Sequence, residues 1–340
     1  MVSSKLKELR KLLTDNNLPS HNDLFELSEA VSSILEEEKT SYRKKADDDQ
    51  VGGLLDFQED DIPLVVIPDI HGRRQFILDI INYKLPKDFV GKSMTILEAL
   101  DKKLLRLIFV GDILHTERNT KERWLDALDD YLEGIYSGEA MKDEMIDSLG
   151  AWCAVFLLKR YFPELCHVIK GNHENILNAT KNGDYSFKKY ANEGAMVKAF
   201  VEDFYGDDIV YLIHCVESSL PLAMVGKYCV VSHAEPLKTY TKEQLVNGVG
   251  KADVVEGLIW TNNGDAEEGS VEGVIRNLSN NSDISDYMYL GGHRCVKDGN
   301  YKLRQNGLYV QIHNPAKENI CLIYNNRKFN PDLDIVGVQK

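Results

Sequence analysis

The sequence predicts an α/β layered domain, and three observations carry the prediction. From Ile62 onward, short β-branched apolar runs alternate with segments of helical periodicity. Several of those runs end abruptly in Asp, Asn or His, often beside glycine. The later runs are close enough in sequence to form hairpins, so the sheet order is mixed. Strands are predicted at 64–68, 105–110, 166–170, 209–215, 222–225, 228–232, 288–290, 308–313 and 320–324. Helices are predicted at about 74–83, 120–136, 142–161, 186–204, 242–249 and 269–278.

Ahead of this domain, residues 1–48 read as a helical extension. Leu6, Leu9, Leu12 and Leu13 mark one apolar stripe, and Leu24, Leu27, Val31 and Leu35 a second. Ser20 and Asn22 are suitable N-caps for the second helix. Residues 49–61, with Asp47-Asp48-Asp49 before Gly52-Gly53 and Glu59-Asp60-Asp61 after them, read as an acidic, solvated linker. The layered domain then spans 62–330, with a helical insertion at about 116–161, and 331–340 read as a tail.

A chain of 340 residues can bury one large core with a small appendage. A net charge of -14 argues against nucleic acid as the main partner. No run is long and apolar enough to span a membrane, and the first ten residues lack the apolar segment of a signal peptide. The six cysteines form no CxxC pair, which predicts reduced thiols in a cytoplasmic, reducing compartment.

The chemistry lies at the strand ends. Val65-Val66-Ile67-Pro68-Asp69-Ile70-His71-Gly72 ends in a carboxylate and an imidazole two residues apart, which an extended backbone would point the same way. Four further runs repeat the pattern: Val110-Gly111-Asp112, Lys170-Gly171-Asn172-His173-Glu174, Val231-Ser232-His233 and Gly291-Gly292-His293. Sites in α/β sheets collect at the carboxyl ends of strands. The set therefore converges Asp69, His71, Asp112, Asn172, His173, His233 and His293. Carboxylates, imidazoles and one amide oxygen, without thiolate, suit two divalent ions such as manganese, iron or zinc. Two ions about 3.5–4 Å apart can clamp an in-line phosphoryl displacement. Asp112 falls between the two ligand groups along the chain and is the natural bridge.

These ordered motifs resemble those of the calcineurin-like metallophosphoesterases, and more narrowly the PPP protein phosphatases. The flanks Leu220-Pro221-Leu222-Ala223, Leu258-Ile259-Trp260 and His293-Arg294-Cys295-Val296-Lys297-Asp298-Gly299 carry the narrower likeness, over about residues 62–328. The resemblance implies a mixed β-sandwich flanked by helices, to which the N-terminal helices are an appendage. It implies a first ion on Asp69, His71 and Asp112, and a second on Asp112, Asn172, His233 and His293, manganese being the usual ion in vitro. A bridging hydroxide would attack phosphorus, and His173 would protonate the leaving oxygen. The implied substrate is a phosphoprotein or phosphopeptide. Phosphodiesterases, dinucleoside polyphosphate hydrolases and a weakly active phosphoprotein-binding scaffold are the alternatives on the same fold. Several bacterial effector phosphatases are variants of this fold with helical additions, which makes delivery into a host cytosol the alternative setting. The N-terminal helices are candidates for recruiting a partner protein.

The sequence leaves the family pattern after Asp112. There the family has an aspartate that pairs with the acid histidine, then a phosphate-binding arginine. Here His115 and Thr116 follow Ile113-Leu114. Glu117 or Glu174 is expected to replace the carboxylate. Arg118, Arg276, Arg73, Arg74 and Arg294 are the candidate phosphate-binding groups. The insertion is expected to shape the substrate groove.

Overall fold

A computed structural model describes residues 2–280 and 283–338. In chain order its elements are α1 (Val2–Thr14), α2 (His21–Glu36), β1 (Leu54–Asp56), β2 (Leu64–Ile67), α3 (Arg74–Asn82), α4 (Lys87–Val90), α5 (Ile96–Asp101), β3 (Arg106–Phe109), α6 (Lys121–Leu132), α7 (Glu139–Tyr161), β4 (Cys166–Val168), α8 (Glu193–Phe204), α9 (Asp207–Ser218), β5 (Ala223–Val225), β6 (Cys229–Ser232), α10 (Lys242–Val246), α11 (Ala252–Ile259), α12 (Ser270–Leu278), β7 (Met288–Gly291), β8 (Lys302–Arg304), β9 (Tyr309–Gln311), β10 (Asn319–Ile323), α13 (Pro331–Asp334) and β11 (Ile335–Gly337).

Two mixed sheets stack face to face. One has the order β11-β10-β2-β3-β4, the other β1-β5-β6-β7-β9-β8. In β2, Val66 points between the sheets, where it meets Ile108, Val231, Leu290 and Val310 in one apolar layer. Its neighbours Val65 and Ile67 point the other way, into a layer shared with helix residues such as Ile77, Trp152, Phe156 and Phe200. The outer face of the second sheet is covered through Val254, Leu258, Val271 and Ile275 of α11 and α12. Strands covered on both faces are apolar throughout, which is why the short β-branched runs were legible. Strands β2, β3 and β4 run parallel, as do β6, β7 and β9. Each trio therefore delivers its carboxyl ends to one edge.

The structure corrects several expectations. Residues 209–215 are helical, within α9, not a strand. Ile209, Val210, Ile213 and Val216 are the buried positions, a helical spacing that overrides their β-branched composition. Residues 186–192 are loop, and α8 begins only at Glu193. Glu193 turns its carboxylate back to accept from the backbone N–H of Lys189 and Ala191, which ends the loop. The acidic linker is not solvated throughout: Leu54 to Asp56 form β1, paired with β5, and Gly52, Gly53 and Phe57 are buried. The tail is likewise part of the fold through β11, paired antiparallel with β10.

The N-terminal helices are integral to the domain. Leu9, Leu13, Leu24, Leu27, Val31 and Leu35 belong to the same core as α7 and α9. Burying each is worth roughly 1.5–3 kcal/mol. Both apolar stripes are thus used within the chain. Among the described residues, no helix is long and apolar enough to cross a membrane.

Candidate metal centre

The strand ends meet in a closed ring of contacts. His71 Nε2 lies 3.7 Å from Asp69 Oδ2 and 3.7 Å from Asp112 Oδ2. Asp112 Oδ2 lies 3.3 Å from His233 Nε2 and 3.6 Å from His173 Nε2. Asn172 Oδ1 stands 2.9 Å from His233 Nε2 and 2.8 Å from His293 Nδ1. The His293 backbone N–H returns to Asp69 Oδ2 at 2.9 Å. All seven residues expected at the site are brought together, and Asp112 is central, in reach of three imidazoles.

Backbone geometry makes this possible. His71, Asp112, His115 and His293 all have positive φ, between 46° and 62°. Non-glycine residues held there are strained, and such strain clusters at functional sites. Asp69 and His71 therefore meet through a left-handed turn and not along a strand pleat. Glycine is required where chain passes the carboxylates. A Cβ on Gly292 would stand 1.7 Å from Asp69 Oδ1, and one on Gly171 would stand 2.3 Å from Asp112 Oδ1.

The donor set fits metal ions. His233 Nδ1 lies 2.9 Å from the Val110 carbonyl, and His71 Nδ1 lies 3.2 Å from the His115 carbonyl. A carbonyl only accepts, so each Nδ1 carries its proton and each Nε2 is left to face the site, as metal-ligating imidazoles require. Asp69 Oδ1 and His293 Nε2 are buried with no hydrogen-bond partner among the described residues. Asp69 and Asp112 are almost wholly inaccessible. Burial opposes their charge, but the surrounding imidazoles outweigh it. The Asp69 carboxyl is held down to about 2, chiefly by His313 and His71, and that of Asp112 well below the usual range by His173 and His233. Burial likewise opposes charge on His71 and His233, yet Glu117 beside the first and Asp112 beside the second hold them up to about 9. Among the described residues, four groups, Asp69–His71–His313, Asp112–His233–His293, His71–Glu117–His173 and Glu117–Cys295–His313, place their donor atoms within 4.8 Å of one another.

His173 has an unexpected partner. His173 Nδ1 lies 3.0 Å from His115 Nδ1. Glu174 does not substitute for the family's carboxylate: its oxygens accept from the backbone N–H groups of Gly171, Asp112 and Ile113 and lock two ligand loops together. Glu117 faces His71 at 3.8 Å and pairs with Lys189 at 2.5 Å. Phe187 covers the histidine pair, its ring centroid 3.6 Å from that of His173 and 5.2 Å from that of His115. The insertion holds this loop from behind. Ser148 on α7 accepts from the His115 N–H, and Glu144 accepts from the Thr116 N–H, both at 3.0 Å. Glu144, Ser148, Phe187 and Lys189 carry no signal in the sequence, because their roles arise only from where α7 and the 186–192 loop pack.

The arginines divide. Arg73 is half-buried and donates to the Asp69 and Ile70 carbonyls, bracing the Asp69–His71 turn. Arg74 is tied to Asp147 and to the Asp15 carbonyl. Arg276 pairs with Glu272 on the exposed side of α12. Arg276 is not among the residues that line the groove beside His71, whereas Arg73 and Arg74 are. Arg118 is half-exposed, donates to the Pro315 carbonyl and faces Glu318 at 3.8 Å, and it lines an open groove of about 420 Å³ together with Arg73, Arg74, His71 and Thr116. Arg294 is exposed beside His293.

No protein-family model matches the chain, and no curated protein matches it. Among solved structures, it aligns with a protein serine/threonine phosphatase from Saccharomyces cerevisiae, described as similar to human phosphatase PP5. The alignment covers 94% of this chain and 89% of that one, at 12% identity and a TM-score of 0.56. The chain shares that phosphatase's fold. A cold-active protein-tyrosine phosphatase of a psychrophilic Shewanella also aligns, over 84% of this chain and 82% of that one, at 10% identity and a TM-score of 0.44.

Proposed function

We propose that this protein is a metal-dependent phosphoprotein phosphatase that hydrolyses phosphomonoesters of serine, threonine or tyrosine. One observation carries the reading. Asp112 stands between two clusters of metal-type donors, with the His173 imidazole 3.6 Å from its Oδ2. Asp69, His71 and Asp112 would hold one divalent ion, and Asp112, Asn172, His233 and His293 the other. When bound, the ions supply Lewis acidity toward the phosphoryl oxygens and a water activated at neutral pH. Manganese, iron and zinc all match the donor set.

The chain's own groups do the rest. His173 Nε2 faces the site and gives a proton to the leaving oxygen, while its Nδ1 bonds to His115. When His173 carries both protons, His115 must accept, which fixes the His115 proton on Nε2. Phe187 shields the pair from water. Arg73, Arg74 and Arg118 line the groove and Arg294 is exposed beside His293, which makes these four the candidates to meet phosphate oxygens, and the insertion shapes the groove wall through Thr116, Arg118 and Asp147.

Replacing His173 by Ala tests the reading. Turnover of phosphopeptides should fall roughly 10²- to 10⁴-fold, the usual share of a general acid, with two ions per chain retained. Unchanged turnover would remove the role. A substrate panel in manganese that favours phosphodiesters or dinucleotides over phosphopeptides would overturn the substrate class.

A further inference from the structure

His313 stands at the same edge, and neither the motif set nor the fold likeness gives it a role. It follows β9, whose neighbour β7 delivers His293. The Ile312 N–H donates to the Gly291 carbonyl, and the His313 carbonyl accepts from the Val296 N–H, so the backbone is fixed on both sides. The side chain is wholly buried. Neither ring nitrogen has a hydrogen-bond partner among the described residues. A buried imidazole with both nitrogens unpaired is rare, because each lost bond costs about 1–3 kcal/mol.

Its surroundings say what it faces. Nδ1 lies 3.7 Å from Asp69 Oδ2, the same separation that His71 Nε2 keeps from that oxygen. That is too long for a hydrogen bond and suits two ligands sharing one ion. The His71 and His313 rings meet edge to face at 5.2 Å. Asp69, His71 and His313 each offer a donor atom within 4.8 Å of the others. Asp69 Oδ1 is likewise buried and unpartnered.

We infer that His313 is a ligand of the first ion, which it joins to Asp69, His71 and Asp112. This inference rests on the two-ion reading above. It gives the first position two imidazoles and two carboxylates where the motifs supply one imidazole. More nitrogen in the donor set moves preference toward zinc, cobalt and iron(II) and away from magnesium. The two positions then become similar in donor type, each with two histidines and a share of Asp112. The sequence holds the signal: Leu308-Tyr309-Val310-Gln311-Ile312-His313 is one more run that ends in a histidine.

Full-length protein stripped by chelation and titrated with cobalt(II) tests this. Wild type should bind two ions. His313→Leu should bind one ion as wild type does and the other at least about tenfold more weakly, since even a partner one step removed from a metal costs roughly 10- to 100-fold. Its cobalt absorption band should change in position and intensity. Two ions at wild-type affinity with an unchanged spectrum, in a variant whose metal-free melting point matches wild type, would overturn the inference. Should the variant not fold, anomalous scattering from zinc-loaded wild-type crystals decides. A His313 nitrogen at about 2.0–2.1 Å from the ion upholds the assignment, and one beyond bonding reach overturns it. Wild type that takes up no ion at all would remove the two-ion reading and this assignment with it. Two bound ions with His313 standing apart would remove this assignment alone.

Discussion

Two buried clusters in this protein combine carboxylates with histidines, and they are built on different terms. In the first, Glu38 Oε1 meets Lys159 Nζ at 2.5 Å and His167 Nδ1 at 3.0 Å, while Oε2 meets Arg43 at 2.7 Å. The remaining donors also find partners. Arg43 reaches the Gly52 and Ser219 carbonyls, Lys159 the Pro163 carbonyl, and His167 Nε2 the Glu164 carbonyl. In the second cluster, Asp69 Oδ1, His293 Nε2 and both nitrogens of His313 stay unpartnered among the described residues. The difference teaches how to tell a structural ionic cluster from a site. A structural cluster closes on itself, and here it ties the end of α2 and the chain after it to α7 and β4. A site leaves donors aimed at something the chain does not contain.

Breaking each cluster should therefore give opposite results. Asp112→Asn removes the shared carboxylate, so metal counting should show fewer than two ions per chain and phosphatase turnover should fall to background. At about pH 9, where the His71 and His233 contribution has disappeared, the metal-free protein should keep a near-normal melting point. Glu38→Gln should do the reverse. It leaves Lys159 and Arg43 as buried unpaired cations, a loss of about 3–5 kcal/mol by urea denaturation, with metal content of the folded fraction unchanged. An Asp112→Asn variant that loses stability on the same scale would erase the distinction.

A smaller effect separates positioning from catalysis. His115→Ala leaves His173 without its partner. Turnover should fall more for phosphoserine peptides, whose alkoxide needs a proton, than for para-nitrophenyl phosphate, whose leaving group does not. His115→Asp should recover part of the loss. Equal losses on both substrates would assign His115 a structural role only.

The smallest effect is in pH. His71 and His233 are held up to about 9 in the metal-free protein. Their folded values lie above the unfolded value of about 6.5. They therefore stabilise the metal-free fold below that pH, and the contribution disappears as pH rises to about 9. Burial does the opposite to His293 and His313, held down to about 3 and about 4. Their contribution is present above about 6.5 and fades as pH falls. Glu38, depressed through Lys159 and His167 against the cost of its burial, also weakens the fold toward acid. Urea midpoints of the metal-free protein should peak near neutrality. Bound ions need neutral imidazoles, so their affinity should rise with pH and their presence should remove the alkaline decline. A metal-free curve flat from pH 6.5 to 9 would contradict the assignment.

The division between what could be read and what could not follows the range of the interactions. The ligand ends of β2, β3, β4, β6 and β7 were legible because a strand and the residue that closes it are adjacent in sequence. All six cysteines are free, in keeping with their isolation from one another. The same local reasoning misjudged 209–215, where composition suits a strand and only the spacing of buried residues suits a helix. The stretch 49–61 reads as a connector because two glycines and five acidic residues conceal a three-residue strand.

Sequence by itself determined which residues could bind metal and that they lie at strand ends. Tertiary structure alone decided their company. That His115 meets His173, that Glu174 clamps the Asp112 loop, and that His313 faces Asp69 all depend on which strand edges are neighbours and on turns with positive φ. Those contacts join residues tens to hundreds of positions apart, and no local periodicity encodes them.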